Sequence, residues 1–266
     1  MSNPEYQALL DHLGKYGKAA VAFSGGTDST FLLAAAVEAY KNDVLAITVN
    51  TPYTPSGDLE DTRHIAAMLG ARHRVLTLTV PPEIRENPEN RCYLCKKHLF
   101  TNITEVAAGE GFTVVFDGTN ADDPSDHRPG LRALEELKVV SPLRETGLGK
   151  EHIRKMARSM NLPNWDKPAN ACLLTRLPFG TVADPELLKK IDRAETFLHE
   201  LGFRNVRLRV HHRIARLELP RELIPVVIRP EYTGRIIPYL KTLGFDFITL
   251  DLEGYRTGSF NQKQKE

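Results

Sequence analysis

Cysteine is scarce in this chain, and so are long hydrophobic runs and net charge. Three of the 266 residues are cysteines, and Lys and Arg outnumber Asp and Glu by a single charge. An odd, small number of cysteines does not make a disulfide framework. A net charge near zero gives no global attraction to a polyanion such as a nucleic acid. We therefore expect neither structural disulfides nor a nucleic-acid partner.

The start of the chain lacks the features of a secretory signal. Residues Met1–Tyr6 show no basic segment followed by an apolar one. No apolar run approaches the ~20 residues that a membrane-spanning helix needs. The expectation is a soluble cytoplasmic protein with no membrane partner.

A glycine-rich loop without lysine is the most informative segment. Ser24-Gly-Gly-Thr-Asp-Ser29 follows the apolar run Ala19–Phe23 and precedes the helix-like run Phe31–Val37. A Walker A loop would end in Gly-Lys-Ser or Gly-Lys-Thr, and this loop does not. Gly25 and Gly26 allow close approach to oxygen atoms, and a helix start offers N–H groups to phosphate. Asp28 is a candidate ligand for Mg²⁺. The alternative is a strand-to-helix turn that binds nothing.

The first two thirds of the chain alternate between strand-like and helix-like segments. This alternation predicts an α/β fold with a doubly wound parallel sheet. The predicted strands are Ala19–Phe23, Val44–Val49, Arg74–Leu78 and Thr113–Phe116, and the predicted helices between them are Ser29–Tyr40, Leu59–Leu69 and about Lys96–Ala108. Ligands of such sheets bind at the carboxyl ends of the strands. There Asp117-Gly-Thr-Asn120 is either a second acidic position for Mg²⁺ or a simple turn.

The last third predicts a second, smaller α+β domain. Pro185–Leu201 is an amphipathic helix, and Val206–Val210 alternates apolar and basic residues as in a half-buried strand. Its two arginines, Arg207 and Arg209, would share one face of that strand. Turn formers around Leu177–Gly180 place the predicted boundary between residues 1–178 and residues 179–266.

Cys92 and Cys95 form a CxxC pair, and Cys172 follows 77 positions after Cys95. One CxxC is compatible with half a zinc site, a redox pair or two buried small residues. Three cysteines without a fourth also suit a 4Fe-4S cluster with one open iron. The neighbouring basic residues Arg91, Lys96, Lys97 and Arg176 would favour thiolates.

Several segments together resemble the LarE family of ATP-dependent sulfur transferases, within the PP-loop ATP pyrophosphatases. In chain order they are the loop Ser24–Thr30, Asn90–Lys97, Asp117–Asn120, Arg128–Arg132, Ala171–Arg176, Val206–His212 and Thr249–Arg256. The resemblance covers nearly the whole chain, and Thr27 stands where valine is common. It implies an adenine nucleotide alpha hydrolase-like fold for the first domain.

The resemblance also implies a reaction and a set of site residues. The carboxylates of pyridinium-3,5-biscarboxylic acid mononucleotide would be adenylylated and converted to thiocarboxylates for the nickel-pincer cofactor of lactate racemase. Asp28 and Cys172 would be catalytic. The nucleotide would bind at Ser24, Gly25, Gly26, Asp28, Ser29, Thr30, Asp117, Gly118 and Thr119, and the substrate at Arg176, Arg207, Arg209 and Asp251.

The source of the sulfur stays open at this point. The preferred interpretation is a 4Fe-4S cluster on Cys92, Cys95 and Cys172, with sulfide or another sulfur donor, beside ATP and Mg²⁺. The alternative is that Cys172 gives up its own sulfur and becomes dehydroalanine. The resemblance also implies a homo-oligomer.

Rival functions remain. A cluster-dependent tRNA thiolase would use the basic group Arg204, Arg207, Arg209, Arg213 and Arg216, although the whole chain is near neutral. An ammonia-dependent ligase of the same superfamily would leave the cysteines without a purpose. A nucleotide-binding or iron–sulfur carrier protein without catalysis would consume ATP without modifying a product.

Overall fold

A computed structural model describes residues 3–123, 129–168 and 171–256. The chain divides into two compact units, one of residues 1–84 and 89–170 and one of residues 85–88 and 171–266. The division thus falls before residue 171 rather than after residue 178. Residues 171–178 belong to the second unit because the buried side chain of Asn87 donates hydrogen bonds to the carbonyls of Leu174, Leu177 and Pro178.

The first unit is the predicted α/β domain. Its described strands are β1 Ala19–Ala22, β2 Val44–Asn50, β3 Arg72–Thr77 and β4 Val115–Phe116. Its described helices are α1 Pro4–Gly14, α2 Thr27–Tyr40, α3 Ser56–Met68, α4 Arg91–Gly109, α5 Pro129–Glu136, α6 Pro142–Glu145 and α7 Lys150–Ser159.

The four described strands form a parallel sheet in the order β3-β2-β1-β4. Ala20 of β1 pairs with Leu45 of β2 on one side and with Val115 of β4 on the other. The strand order reverses at β1, and the turns after β1 and β4 therefore flank the crevice where such sheets bind ligands. The doubly wound fold is confirmed.

Helices cover both faces of this sheet, because neighbouring strand residues point to opposite faces. Ala19, Val21 and Phe23 pack with apolar residues of α1, α2 and α7, whereas Ala20 packs with residues of α4 and α5. β1 and most of β2 are consequently apolar along their length, whereas the edge strand β3 carries exposed polar residues such as Arg72 and Arg74.

Helix α4 begins five residues earlier than the sequence predicts, at Arg91 instead of Lys96. No Gly or Pro interrupts residues 91–97, and Asn90 at the helix start makes no side-chain capping bond. Asn90 is nevertheless a residue type preferred before a helix, so a start signal was present in the sequence and was passed over. The CxxC pair consequently lies inside the first turns of a helix.

The second unit is a smaller α+β body. Its described elements are α8 Pro185–Glu200, β5 Arg207–His211, β6 Ile214–Glu218, α9 Ile224–Val227, α10 Pro230–Thr242 and β7 Phe247–Leu250. The strands form a mixed sheet in the order β5-β6-β7, with the first pair antiparallel and the second parallel. Among the residues described in both units, no helix is long and apolar enough to cross a membrane.

Candidate functional site

The loop between β1 and α2 is held by short side chains. The Ser24 and Ser29 hydroxyl oxygens lie 3.1 Å apart, and the Ser29 hydroxyl also donates to the Gly26 carbonyl at 3.1 Å. Helix α2 starts after Gly26 without a side-chain cap from that residue. The start of α2 is therefore the kind of N-terminus that binds anions.

Gly25 cannot be replaced by a larger residue without strain. Its φ is +71°, and a Cβ atom there would lie 2.9 Å from Cγ2 of Thr62 in α3. The loop thus needs glycine both for its backbone conformation and for its contact with α3.

The turn after β4 packs directly on the start of α2. A Cβ on Gly118 would lie 3.1 Å from the backbone nitrogen of Ser29. The buried Asp117 carboxylate accepts hydrogen bonds from the hydroxyls of Thr119 and Ser141. These bonds fit the turn interpretation of Asp117, and its role as a nucleotide residue stays a prediction.

Asp28 lies in the first turn of α2 and accepts a hydrogen bond from the Asn120 amide at 2.8 Å. Burial raises the pKa of Asp28, the Asn120 hydrogen bond lowers it, and the charge of Asp123 raises it. A carboxylate that burial disfavours and a second acidic residue repels gains from a cation. Asn120, which the sequence analysis did not propose as a site residue, thus orients the Mg²⁺ candidate.

The sequence analysis also missed Asn164 and Lys167. The Asn164 amide donates to the Gly25 carbonyl at 2.9 Å and to the Thr30 hydroxyl at 2.8 Å. Lys167 pairs with Asp58 and Asp61 of α3 at 2.8 and 2.7 Å. Only their place a few residues before Cys172 links them to the motifs in the sequence.

Cys92 and Cys95 lie one turn apart in α4, so they share a helix face. Cys92 is exposed, and Cys95 is half-buried with its sulfur 3.3 Å from the Tyr53 hydroxyl. Two thiols on one helix face are a suitable pair of soft metal ligands. Within the described residues, no group of three or more His, Cys, Asp and Glu is arranged to hold a metal ion.

The lysines beside the CxxC pair contact carboxylates. Lys97 pairs with Glu136 at 2.8 Å, and Lys96 lies 3.8 Å from Asp117. Their charges are therefore shared with acidic groups rather than directed only at the cysteines.

Cys172 lies immediately before a 3₁₀ turn, Leu173–Arg176. The Arg176 guanidinium donates to the backbone carbonyls of Ala171 and Cys172 and forms a two-point pair with Glu195 of α8. The Arg176 side chain is 1% exposed. Arg176 therefore holds the backbone at Cys172, and its predicted contact with substrate stays a prediction.

Arg207 and Arg209 are buried, although the strand pattern predicted a half-buried segment. Arg209 pairs with Glu218 at 3.0 Å. Burial and the nearby Arg176 charge lower the pKa of Arg207. The charge of Glu195 acts in the opposite direction and raises that pKa, and a role of Arg207 and Arg209 in substrate binding stays a prediction.

Asp251 has structural contacts at the end of β7. Its carboxylate accepts from the Glu253 backbone nitrogen at 2.9 Å and lies 3.6 Å from Arg216. Nothing in these contacts tests a role in substrate binding. Arg128, part of the resembling segments, lies outside the described residues.

Glu195 is the acidic residue that the sequence analysis overlooked in the second unit. It is 4% exposed, and besides Arg176 it accepts from the Leu208 backbone nitrogen at 2.7 Å. Its position four residues after Ile191 and three before Leu198 puts it on the apolar stripe of α8. A charged residue on an apolar stripe is the sequence feature that could have identified Glu195.

Comparison with known proteins shows which family the chain belongs to. It is 34% identical over 95% of its length, and 92% of that protein, to pyridinium-3,5-bisthiocarboxylic acid mononucleotide synthase of Lactiplantibacillus plantarum. The chain belongs to the LarE family. Residues 18–90 also match the family model described as queuosine biosynthesis protein QueC.

Two uncharacterised relatives also match nearly the whole chain, whereas a third relative matches about half of it. An uncharacterised protein of Synechocystis is 36% identical over 98% of both chains, and one of Methanocaldococcus jannaschii is 35% identical over 91% of this chain and 92% of its own. An argininosuccinate synthase of Halobacterium salinarum is 28% identical over 55% of this chain. The LarE resemblance thus spans both units.

The buried pair of Arg176 and Glu195 generates a stability prediction. Glu195→Ala leaves the Arg176 charge buried and uncompensated, so we expect a loss of about 3–5 kcal/mol in the free energy of unfolding. Glu186→Ala is the matched control, because its ion pair with Lys189 is exposed, and its cost should stay below ~0.5 kcal/mol. Urea titration followed by circular dichroism measures both, and equal losses would contradict the analysis.

The three cysteines should differ in their reaction with iodoacetamide. In reduced, metal-free protein, Cys92 is expected to react first because it is exposed, whereas Cys95 and Cys172 are half-buried. Peptide mass spectrometry at successive times gives the order in which the cysteines are modified. This order should disappear when the protein is unfolded in urea. Faster reaction of Cys95 in the folded protein would show that exposure does not control access.

Proposed function

We propose that this chain is an ATP-dependent sulfur transferase that converts the carboxylates of pyridinium-3,5-biscarboxylic acid mononucleotide to thiocarboxylates. The observation that carries the proposal is the 34% identity, over both units, to a protein named for the bisthiocarboxylic acid product. The glycine loop after β1 supplies a phosphate site that such a reaction needs.

The first step activates a carboxylate. A substrate carboxylate oxygen attacks the α-phosphorus of ATP, the bond between the α-phosphorus and the bridging oxygen breaks, and pyrophosphate leaves. Backbone N–H groups at the start of α2 would hold the pyrophosphate, and Asp28 would hold Mg²⁺ against it. The product is an acyl adenylate, whose leaving group is AMP instead of oxide.

The second step replaces AMP by sulfur. In the route that needs only this chain, the Cys172 thiolate attacks the acyl carbon and expels AMP, which leaves a thioester on Cys172. Loss of the Cys172 α-proton to a base and cleavage of the bond between its Cβ and sulfur then release the thiocarboxylate. Cys172 becomes dehydroalanine, and each chain acts once per sulfur atom.

The preferred route is catalytic in the protein. What supports this route is that Cys92 and Cys95 share a face of α4 and that thiolates are the usual cluster ligands. Cys92, Cys95 and Cys172 would hold a 4Fe-4S cluster. When bound, such a cluster would supply an open iron for the sulfur donor.

The anionic substrate needs cations. Arg207 and Arg209 are arginines in a buried setting, where charge-assisted bonds to phosphate or carboxylate are strong. Arg176 holds the Cys172 backbone with the same guanidinium group that pairs with Glu195. We propose that this arginine cluster binds the substrate anions while Arg176 keeps Cys172 in place.

Thiolation of the mononucleotide tests the function. Reconstituted protein is incubated anaerobically with Mg-ATP, sulfide and the biscarboxylate mononucleotide, and product mass is followed. The expected product carries sulfur in place of oxygen. Absence of this product, with sulfur appearing in added tRNA, would replace the proposal by a tRNA thiolase.

Alanine variants of the three cysteines separate the two sulfur routes. Cys172→Ala should abolish thiolated product in both, while adenylylation, followed as substrate-dependent release of pyrophosphate, continues. On the cluster route, the wild type should transfer more than one sulfur atom per chain, and Cys92→Ala and Cys95→Ala should lose this excess product. On the sacrificial route, these two variants keep the full yield of one sulfur per chain, with dehydroalanine at position 172. Unchanged yield in Cys172→Ala would contradict both routes.

A further inference from the structure

The glycine loop is bonded to a chain segment that no motif of the loop includes. Asn164 and Lys167 follow α7, more than 130 positions after the loop, and both contact the same backbone oxygen. The Gly25 carbonyl accepts from the Asn164 amide at 2.9 Å and lies 3.4 Å from Nζ of Lys167. One carbonyl of the phosphate loop therefore has two side-chain donors.

Holding that carbonyl also fixes the next amide. In a planar trans peptide, C=O and N–H point in opposite directions, and no described peptide bond is cis. The Gly26 N–H must then point away from Asn164 and Lys167. Within the loop its contact is the Ser24 hydroxyl, at the long distance of 3.4 Å, so the amide is available for a stronger acceptor.

Asn164 ties three loop positions together. Besides Gly25, its amide donates to the Thr30 hydroxyl at 2.8 Å, and its backbone carbonyl accepts from the Thr27 hydroxyl at 2.8 Å. Asn164 and Thr30 are buried. The start of α2 and the turn before it are consequently positioned by one residue.

Lys167 is a poor candidate for a direct phosphate ligand. Its ammonium pairs with Asp58 and Asp61, and its side chain is 18% exposed. Burial opposes the charged form of Lys167, but its hydrogen bonds and charge interactions with both aspartates outweigh burial and raise its pKa. The two carboxylates thus carry more negative charge than the one positive charge of the Lys167 ammonium. The ammonium stays protonated, and the ion pairs hold it in place.

Helix α3 packs against Gly25 as well. Thr62 is the neighbour that a Cβ on Gly25 would strike, and Asp58 and Asp61 lie on the same helix as Thr62. The Gly25 peptide is therefore confined between α3 and the segment of Asn164 and Lys167.

We propose that Asn164 and Lys167 are positioning residues for the phosphate loop, which orient the Gly25–Gly26 peptide so that its N–H faces the pyrophosphate part of ATP. This inference rests on the proposed use of ATP.

Direct binding tests the inference without turnover. Isothermal titration calorimetry measures the affinities of magnesium pyrophosphate, Mg-ATP and AMP for wild type, Asn164→Ala and Lys167→Met. Since a hydrogen bond contributes about 1 kcal/mol, each variant should bind pyrophosphate and ATP about five-fold more weakly. AMP lacks the pyrophosphate part, so its affinity should change less than about two-fold.

Control variants separate positioning from damage to the fold. Lys189→Met removes an exposed, ion-paired lysine of the second unit and should leave all three affinities unchanged. Lys167→Gln keeps an amide donor for Asp58 and replaces Lys167→Met if the latter does not fold, with a smaller loss in the same direction. In turnover, the KM for ATP should rise more than kcat falls.

The outcomes distinguish this inference from the proposed function. Equal losses for AMP and pyrophosphate, or no loss for either, would overturn the positioning role. Selective loss of pyrophosphate affinity, in a protein that forms no thiolated product, would keep the positioning role and reject the sulfur transfer.

Discussion

Close packing at two glycines is the constraint on which the first unit depends. Gly25 lies against Thr62 of α3, and Gly118 lies against the backbone of Ser29 at the start of α2. Gly118 lets the turn after β4 approach the start of α2, and Gly25 lets the loop after β1 approach α3, because neither glycine has a side chain. The first of these contacts lies where the strand order of the sheet reverses, which is where such sheets bind ligands. Packing thus holds the loop and the start of α2 in place.

The second unit depends on a different interaction, the pairing of buried charges. Arg176 with Glu195 and Arg209 with Glu218 join the 3₁₀ turn, α8, β5 and β6. Burying such a pair costs solvation free energy. Removing one partner strongly lowers the free energy of unfolding, because it leaves an uncompensated charge. They are retained here next to the backbone of Cys172.

The sequence predicted the elements whose signals are local. β1, the glycine loop and α2 follow from an apolar run, two glycines and a helix-like pattern, and the family followed from short segments. The early start of α4 was missed because Asn90, whose residue type favours a helix start, was not used as one. The burial of Arg207 and Arg209 was missed because their partners or neighbours, such as Glu195 and Glu218, are separated along the chain. Asn164 and Lys167 were missed for the same reason, since only the fold brings them to Gly25.

The central claim is that this glycine loop serves cleavage of ATP between the α- and β-phosphates. Phosphorus NMR of the protein with Mg-ATP, sulfide and the biscarboxylate mononucleotide tests it most directly, because the products differ with the bond that breaks. The account predicts AMP and pyrophosphate, formed only when the mononucleotide is present. Formation of ADP and inorganic phosphate would contradict it.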